Sequence, residues 1–181
     1  MGKFVALLRG INVSGQKKIK MSDLKILFED LSFKNVETYI QSGNVLFKSS
    51  IANEKNINNK IVKGIADKFG YQVQVIIKTP SELGSALKNN PFLKSKTKDV
   101  EKIYFTFLSD VPSQEKIQKL KEVDSSSEEY VLDGTNIYLF FPGGYGKAKM
   151  NNNFFEKKLN VFATTRNYKT VKALFEISKS K

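Results

Sequence analysis

Two arginines are the residues of this chain best suited to bind an anion. Of the 30 basic residues, 28 are lysine, and only Arg9 and Arg166 are arginine. An arginine presents a planar fork of hydrogen-bond donors that matches a carboxylate or a phosphate, and its weak hydration suits a partly buried position. Each arginine therefore marks a candidate anion site. The alternative is a buried structural ion pair with a carboxylate.

Three loops rich in glycine and small polar residues accompany these arginines. The first is RGINVSG at 9–15, the second is QSGN at 41–44, and the third is PGGYGKAK at 142–149, which precedes TTRNYKT at 164–170. Glycine lets backbone N–H groups approach an anion closely, and a following helix N-terminus adds partial positive charge. The loops therefore predict anion cradles. Tight turns without a ligand are the alternative.

The candidate ligand-binding residues are the arginines and the polar, lysine or glycine residues of these loops. They are Arg9, Gly10, Asn12, Ser14, Gln41, Ser42, Asn44, Gly143, Gly144, Gly146, Lys147, Lys149, Arg166 and Asn167. The arginines would act as anion forks, the amide and hydroxyl side chains as polar readers, and the third loop as a backbone cradle. That loop lacks the spacing and the Ser or Thr of a Walker A loop, so nucleotide hydrolysis is not indicated.

The composition excludes several kinds of catalysis. The chain has no histidine and no cysteine, which removes His-dependent triads, thiol chemistry, disulfides and metal sites built on nitrogen and sulfur. The adjacent acids Glu29–Asp30 and Glu128–Glu129 are interpreted as solvated surface. The sequence leaves any catalytic residue unknown, and we predict no cofactor and no metal ligand. Whether the protein is an enzyme stays open, because lysine, tyrosine, aspartate or substrate positioning can also support catalysis.

The net charge favours anionic partners. Lysine and arginine number 30 against 18 aspartates and glutamates, a net charge of +12. Lysines near phosphates release counterions and strengthen binding to polyanions. The preference for lysine also follows from an AT-rich genome, so the charge alone does not establish a function.

Hydrophobic periodicity predicts the elements that position these loops in the first half. The predicted strands are 3–9, 36–40, 45–48 and a half-exposed edge strand at 71–77, and the predicted helices are 22–31 and 57–69. The strand at 3–9 is apolar on both faces, which is typical of a central strand. Ser22 is the expected helix cap, with a hydrophobic staple between Met21 and Ile26.

The second half repeats the same order after a short connecting helix. That helix begins at the capping box Thr79–Glu82 and stops before Pro91. The predicted strands are then 102–108, 130–132, 135–141 and 161–163, and the predicted helices are 113–121, 151–159 and 168–177. The order βαββαβ is that of ferredoxin-like folds.

The predicted fold class is α+β, with two tandem ferredoxin-like (βαββαβ) α-β plaits whose antiparallel sheets carry helices on one face. The predicted domains are a first plait at 1–79, a connecting helix and linker at 80–98, and a second plait with a C-terminal helix at 99–181. Because the central strands are apolar on both faces, we expect the domains to pack closely or the protein to form a homodimer through a sheet face.

The strand order 4-1-3-2 of such plaits brings the candidate loops together in pairs. We expect loop 9–15 to lie beside hairpin 41–44, and loop 142–149 to lie beside segment 164–170.

Aromatic residues on the second sheet offer another function. Tyr104 shares a strand face with Thr106, and Tyr138 shares one with Phe140. RNA-recognition plaits stack bases on aromatics of their two central strands. The alternative is that the other domain, the last helix or a second subunit covers these rings.

Four segments resemble an uncharacterised bacterial family, domain of unknown function 1697. They are VALLRGINVSG at 5–15, TYIQSGNVLF at 38–47, NPF at 90–92 and ATTRNYKTVKAL at 163–174. The chain departs from the family pattern at Ser14, Ala148 and Tyr168, where glycine, serine and tryptophan are expected. The resemblance implies tandem ferredoxin-like plaits, and it implies no biochemical activity.

Three functions follow from these observations. The first is binding of a phosphate-bearing or other anionic ligand, either nucleic acid or a nucleotide-like metabolite. The second is a small-molecule enzyme with an interdomain cleft in which Arg9 orients a carboxylate or phosphate. The third is a structural or interaction module with no ligand. Because no targeting segment or bilayer-length apolar run is present, we expect a cytoplasmic protein with no membrane partner.

Overall fold

Eight strands and six α-helices make up the described part of the chain, residues 1–123 and 127–180 of a computed structural model. The strands are β1 (Gly2–Leu8), β2 (Lys34–Tyr39), β3 (Asn44–Ser49), β4 (Val75–Lys78), β5 (Ile103–Leu108), β6 (Glu129–Asp133), β7 (Asn136–Phe140) and β8 (Ala163–Asn167). The helices are α1 (Met21–Asp30), α2 (Glu54–Phe69), α3 (Pro80–Asn89), α4 (Gln114–Lys121), α5 (Asn152–Leu159) and α6 (Tyr168–Ser180). The fold class is α+β, with two four-stranded antiparallel sheets.

The chain divides into two compact units. The first comprises Met1–Gly84 with Leu174–Lys181, and the second comprises Ser85–Ala173. The end of α6 therefore belongs to the first unit. The domain bounds expected from the sequence stay predictions.

The first sheet has the strand order β2-β3-β1-β4, so β1 and β3 are its central strands. On one face, Phe47 packs against Phe28 of α1 with ring centroids 5.3 Å apart, and Ile61 of α2 is fully buried in the same core. Val5 and Leu7 point to the other face and are also fully buried. Strand β1 is therefore buried on both faces, as expected for a central strand.

The end of α6 contacts the first strand and the start of α3 within the first unit. The Lys3 ammonium donates to the carbonyls of Ser178 and Lys179, both at 3.4 Å. A cation at a helix C-terminus compensates the partial negative charge of the last carbonyls. A Cβ on Gly84 of α3 would lie 2.8 Å from the ring of Phe175, so these two helices pack at close range.

The second sheet has the corresponding order, β6-β7-β5-β8. Leu139 and the α5 residue Phe155 belong to the core on one face. Phe105 and Tyr138 lie on the other face, and both are 1 % exposed. This sheet is also buried on both faces of its central strands.

Three local predictions from the sequence are wrong. Helix α1 begins at Met21 with Lys20 at the N-cap position and no side-chain cap, so Ser22 lies inside the helix and Ile26 is 48 % exposed. Strand β4 starts only at Val75, and all four of its residues are buried. Both differences reflect tertiary contacts, which outweigh local capping and alternation signals.

The third difference concerns the last strand. Strand β8 covers Ala163–Asn167 and not 161–163, so the threonines belong to the sheet. Thr165 lies opposite Thr106, and their hydroxyls are 2.6 Å apart. Cross-strand threonine pairs of this kind stabilise neighbouring strands. Arg166 is consequently a strand residue and not a loop residue.

Gly43 tests the contact between β1 and the hairpin that joins β2 to β3. Its φ is +78°, and a Cβ there would lie 2.8 Å from Leu8 Cβ and Ile11 Cδ1. We expect Gly43→Ala to lower the free energy of unfolding by at least about 2 kcal/mol, because left-handed strain and overpacking add. Gly134 is the control: its φ is +58°, and nothing lies within 4 Å of its Cβ position.

Gly134→Ala should cost only about 1 kcal/mol, from the backbone conformation alone. Urea unfolding of the two variants measures the difference. Equal losses would show that the hairpin does not depend on the close approach of Gly43.

Candidate functional site

The first loop and the hairpin lie together at one end of the first sheet. The Leu8 N–H donates to the Gly43 carbonyl at 2.8 Å, and Asn12 Nδ2 donates to the Gln41 carbonyl at 3.0 Å. The expected neighbourhood of these two loops is therefore confirmed. We call residues 9–20 and 40–43 together the first-loop site.

Asn12 holds this loop in shape. Its Nδ2 also donates to the Ile19 carbonyl at 2.9 Å, and its Oδ1 accepts from the Ile19 N–H at 2.9 Å. The Asn12 N–H donates to the Lys17 carbonyl at 3.3 Å. Both amide hydrogens of the side chain are used inside the protein. Asn12 therefore positions the loop and has no amide hydrogen left to donate to a ligand.

Asn44 has the same kind of role in the hairpin. The residue is fully buried, and its Nδ2 donates to the Tyr39 carbonyl at 2.9 Å and to Ser42 Oγ at 3.0 Å. These bonds close the turn between β2 and β3. The exposed polar side chains left to face a ligand include Ser14 and Gln41.

Left-handed backbone is concentrated at the first-loop site. Thirteen described residues have positive φ, and seven of them lie here: Gly10, Asn12, Ser14, Gly15, Lys17, Ile40 and Gly43. Glycine adopts these conformations at little cost, but in the other residues they cost free energy and cluster where a structure has a functional reason to keep them. Four of the seven described non-glycine residues with positive φ lie at this site.

The charged side chains of the first loop are all cationic. Arg9, Lys17, Lys18 and Lys20 lie between β1 and α1, and no aspartate or glutamate occurs from residue 9 to residue 22. Lys18 and Lys20 are exposed, and Arg9 is half-buried. The Lys17 ammonium donates to the Gln72 carbonyl at 2.6 Å. The sequence analysis missed these lysines, although the run QKKIK at 16–20 displays them.

The third loop uses its backbone donors internally. The N–H groups of Gly144, Lys147 and Ala148 donate to carbonyls within residues 141–145, at 2.9, 3.3 and 3.1 Å. The Tyr145 N–H donates to the Tyr104 hydroxyl at 3.2 Å. These donors are therefore already satisfied by the turn itself.

Glu128 accepts hydrogen bonds from the backbone at the end of this loop. Its two carboxylate oxygens accept from the N–H groups of Lys149 and Met150, at 2.8 and 2.9 Å. The interpretation of Glu128 as a solvated surface residue is wrong, because it is half-buried and bound to the loop. Glu129 is exposed and forms an ion pair with Lys98. The loop does bind a carboxylate, and that carboxylate belongs to the protein.

Arg166 and Asn167 are engaged in local structure. Arg166 is 8 % exposed, and its Nη1 donates to Thr164 Oγ1 at 2.8 Å and to the Thr165 carbonyl at 2.9 Å. Asn167 Oδ1 accepts from the Thr170 N–H at 2.8 Å at the start of α6. Asn167 also lies opposite Tyr104, whose hydroxyl contacts the third loop. The third loop and the end of β8 are thus at the same end of the second sheet, as expected.

The aromatic residues of the second sheet do not form one stacking surface. Tyr138 lies on the face of Phe105, with which it makes an edge contact at 5.9 Å. Tyr104 lies on the opposite face, next to Phe141 and Tyr145. Burial and the nearby Asp133 carboxylate raise the pKa of Tyr138 to about 12. Its hydroxyl therefore stays protonated near neutral pH and cannot act as a general base.

The described residues lack two other kinds of feature. Residues 1–123 and 127–180 contain no group of three or more acidic side chains placed to hold a metal ion. Within the same ranges, no helix has the length and apolar character needed to cross a bilayer.

The comparisons with known proteins agree with this architecture. The chain is similar in structure to the conserved bacterial protein SP0830 from Streptococcus pneumoniae, with a TM-score of 0.79, 23 % identity and 99 % of each chain covered. At this identity the likeness shows the fold alone. No curated protein matches the chain significantly. The model of the family described as "Protein of unknown function (DUF1697)" matches residues 1–138, so the chain belongs to that family.

Asn12 provides a test of how the first-loop site is held. We expect Asn12→Ala to lower the free energy of unfolding by about 2–3 kcal/mol, because it leaves the buried backbone groups of Ile19 without partners. The matched control is Asn59→Ala on the exposed surface of α2, which should change stability by less than about 0.5 kcal/mol. Urea denaturation measures both. A loss no larger than that of the control would show that the loop is held by other contacts.

Glu128 provides a test of the third loop. Glu128→Ala should lower the free energy of unfolding by about 1–3 kcal/mol, since two backbone N–H groups lose a charged acceptor. Glu128→Gln keeps one oxygen and should lie between the wild type and Glu128→Ala. The exposed Glu122 serves as the control through Glu122→Ala. If the Glu128 and Glu122 variants melt alike, the carboxylate does not hold the loop.

Proposed function

We propose that this protein binds a phosphate-bearing or other anionic ligand, nucleic acid or a nucleotide-like metabolite, at the first-loop site. One observation carries the proposal. The loop with the most left-handed backbone in the described chain also carries four cationic side chains and no carboxylate. Backbone strain marks positions kept for function, and cations clustered at such positions attract anions.

Each part of the site has a separate role in this proposal. Lys18 and Lys20 present exposed ammonium groups, and Arg9 supplies a half-buried guanidinium fork in the same loop. Gly10 leaves the approach open, since nothing lies within 4 Å of its Cβ position. Gln41 and Ser14 offer polar side chains to the ligand. Asn12, Asn44 and Ser42 hold the two loops in place.

The other candidate residues from the sequence carry less support. The glycines and lysines of the third loop, together with Arg166 and Asn167, stay predictions as ligand-binding residues. Their internal partners favour a structural role, because a new ligand would have to replace Glu128 or the turn hydrogen bonds. An enzyme that uses a cleft between domains also stays a prediction, and no residue is assigned to it.

A structural module is the second candidate function. The hydrogen bonds of Asn12 and Asn44 and the close approach of Gly43 give the first two loops an architectural reason to have these residues. In this alternative the strained backbone serves only the contact between loop and hairpin. The two functions differ in what happens when the exposed lysines are neutralised.

The proposal includes a finer description of the fold and location. We assign the predicted domains 1–79 and 99–181 to ferredoxin-like α-β plaits in tandem, joined by a connecting segment at 80–98, with the end of α6 packed in the first compact unit. The order βαββαβ and the corresponding strand orders of the two sheets support this assignment. A cytoplasmic location, no membrane partner and a homodimer through a sheet face belong to the same proposal.

Neutralising the exposed lysines tests the anion site. Lys18→Gln/Lys20→Gln should weaken binding of tripolyphosphate, nucleoside triphosphates and a single-stranded oligonucleotide by about tenfold or more, the equivalent of one charged hydrogen bond. Lys157→Gln/Lys158→Gln on α5 removes the same charge from another exposed pair and should change affinity by less than about twofold. Calorimetry at low and moderate salt measures both pairs.

Three outcomes would contradict the proposal. Equal weakening by the two double variants would attribute binding to the overall charge of +12. Binding that neither double variant weakens would place the anion away from the first-loop site. No binding of any of these anions by the wild type would favour the structural module.

A further inference from the structure

Ile40 has a backbone conformation that its side chain disfavours. Its φ is +49°, within the left-handed region. Of the thirteen described residues with positive φ, six are glycine, three asparagine, two serine and one lysine. Ile40 is the only β-branched residue among them. A β-branched residue in this region is an outlier, because its branched side chain crowds the backbone.

Burial does not explain this isoleucine. Ile40 is 49 % exposed, so about half of its surface still faces water. Asparagine or glycine at this position would relieve the strain and expose less apolar surface. Isoleucine at this position therefore costs free energy twice, through backbone strain and through exposure of apolar surface to water.

A second exposed apolar side chain belongs to the same site. Val13 is 56 % exposed and lies in a tight turn closed by a 2.9 Å hydrogen bond from the Gln16 N–H to the Val13 carbonyl. Asn12 precedes Val13 in the chain and donates to the carbonyl of Gln41, which follows Ile40. The hydrogen bonds of Asn12 therefore fix the segments that carry both side chains.

Asn12 also forms hydrogen bonds on both sides of a cation of the site. Asn12 bonds to Lys17 and Ile19, the two neighbours of Lys18 in the chain. The exposed ammonium group of Lys18 and the two exposed aliphatic side chains are thus carried by segments that Asn12 joins. Joined segments that carry both aliphatic and cationic exposed side chains suit a ligand in which an apolar group is attached to an anionic group.

We propose that this ligand is a nucleotide unit, with its base packed on Ile40 and Val13 and its phosphates on the lysines of the first-loop site. The inference rests on the proposed function and adds the chemical class of the ligand. Only two exposed aliphatic side chains are involved, and the exposed Ser14 and Gln41 follow them in the chain. So small an apolar area suits one planar ring better than a bilayer, which would desolvate these polar neighbours.

Matched anions test this inference. The ligands are the four ribonucleoside triphosphates and inorganic tripolyphosphate, which has the phosphates but no base or sugar. We expect the wild-type protein to bind at least one triphosphate about tenfold more tightly than tripolyphosphate, a difference of 1.4 kcal/mol. A single-stranded octanucleotide in the same titrations distinguishes a nucleotide unit of nucleic acid from a free nucleotide.

Two variants separate the base contact from the phosphate contact. Ile40→Gly and Ile40→Asn should abolish the preference for triphosphates and leave the affinity for tripolyphosphate unchanged. Both should leave the melting temperature close to that of the wild type, because relief of the left-handed strain offsets the loss of the half-buried side chain. Lost binding in a protein of unchanged stability cannot be attributed to unfolding. Lys18→Gln/Lys20→Gln should weaken binding of all five anions.

The possible results fall into distinct groups. Equal affinity for tripolyphosphate and all four triphosphates would overturn the nucleotide assignment and leave the anion site in place. A preference that survives both Ile40 variants would overturn the role of Ile40. Ile40-dependent binding to phosphatidylcholine–phosphatidylglycerol vesicles, without any preference for triphosphates, would assign the first-loop site to a lipid surface instead. Absence of binding by every anion would remove the proposed function itself.

Discussion

The burial of β1 on both faces constrains the rest of the first unit. Val5 and Leu7 are fully buried on one face, and Ala6 and Leu8 on the other. The strand is also hydrogen-bonded on both edges, by β3 and β4. The chain must turn directly after β1, because both edges of this strand are already paired with neighbouring strands. The left-handed residues that begin at Gly10 make that change of direction possible, and they do so at the cost of strain.

The strained loops are stable because polar side chains satisfy their backbone groups. Asn12 serves the first loop and Asn44 serves the hairpin, and Glu128 serves the third loop with a carboxylate. Buried N–H and C=O groups without partners cost free energy, so such residues are structural wherever the loop is irregular. The need to satisfy backbone groups thus explains part of the distinctive residues in these loops. It does not explain the exposed cations or the exposed Ile40.

The sequence predicted those features that depend on periodicity and order. The apolar alternation identified nearly every strand and helix, and the order of elements predicted that Asn12 and Gln41 would be neighbours. Glu128 could not be predicted, because its contact with Lys149 and Met150 joins distant segments and has no local pattern. The position of Arg166 was missed because Thr164 and Thr165 suit a strand as well as a loop. The left-handed backbone of Ile40 could not be predicted, because isoleucine favours extended structure.

The contact between the ends of the chain has a consequence for synthesis. Residues 174–180 belong to the same compact unit as β1, and the Lys3 ammonium contacts the last turn of α6. A ribosome makes these residues only after the whole of the second unit has been translated. The contacts of β1 in the first unit therefore stay incomplete until residues 174–180 have been translated. Assembly of the first unit is completed only after the second unit has been made, even though its four strands precede that unit in the chain.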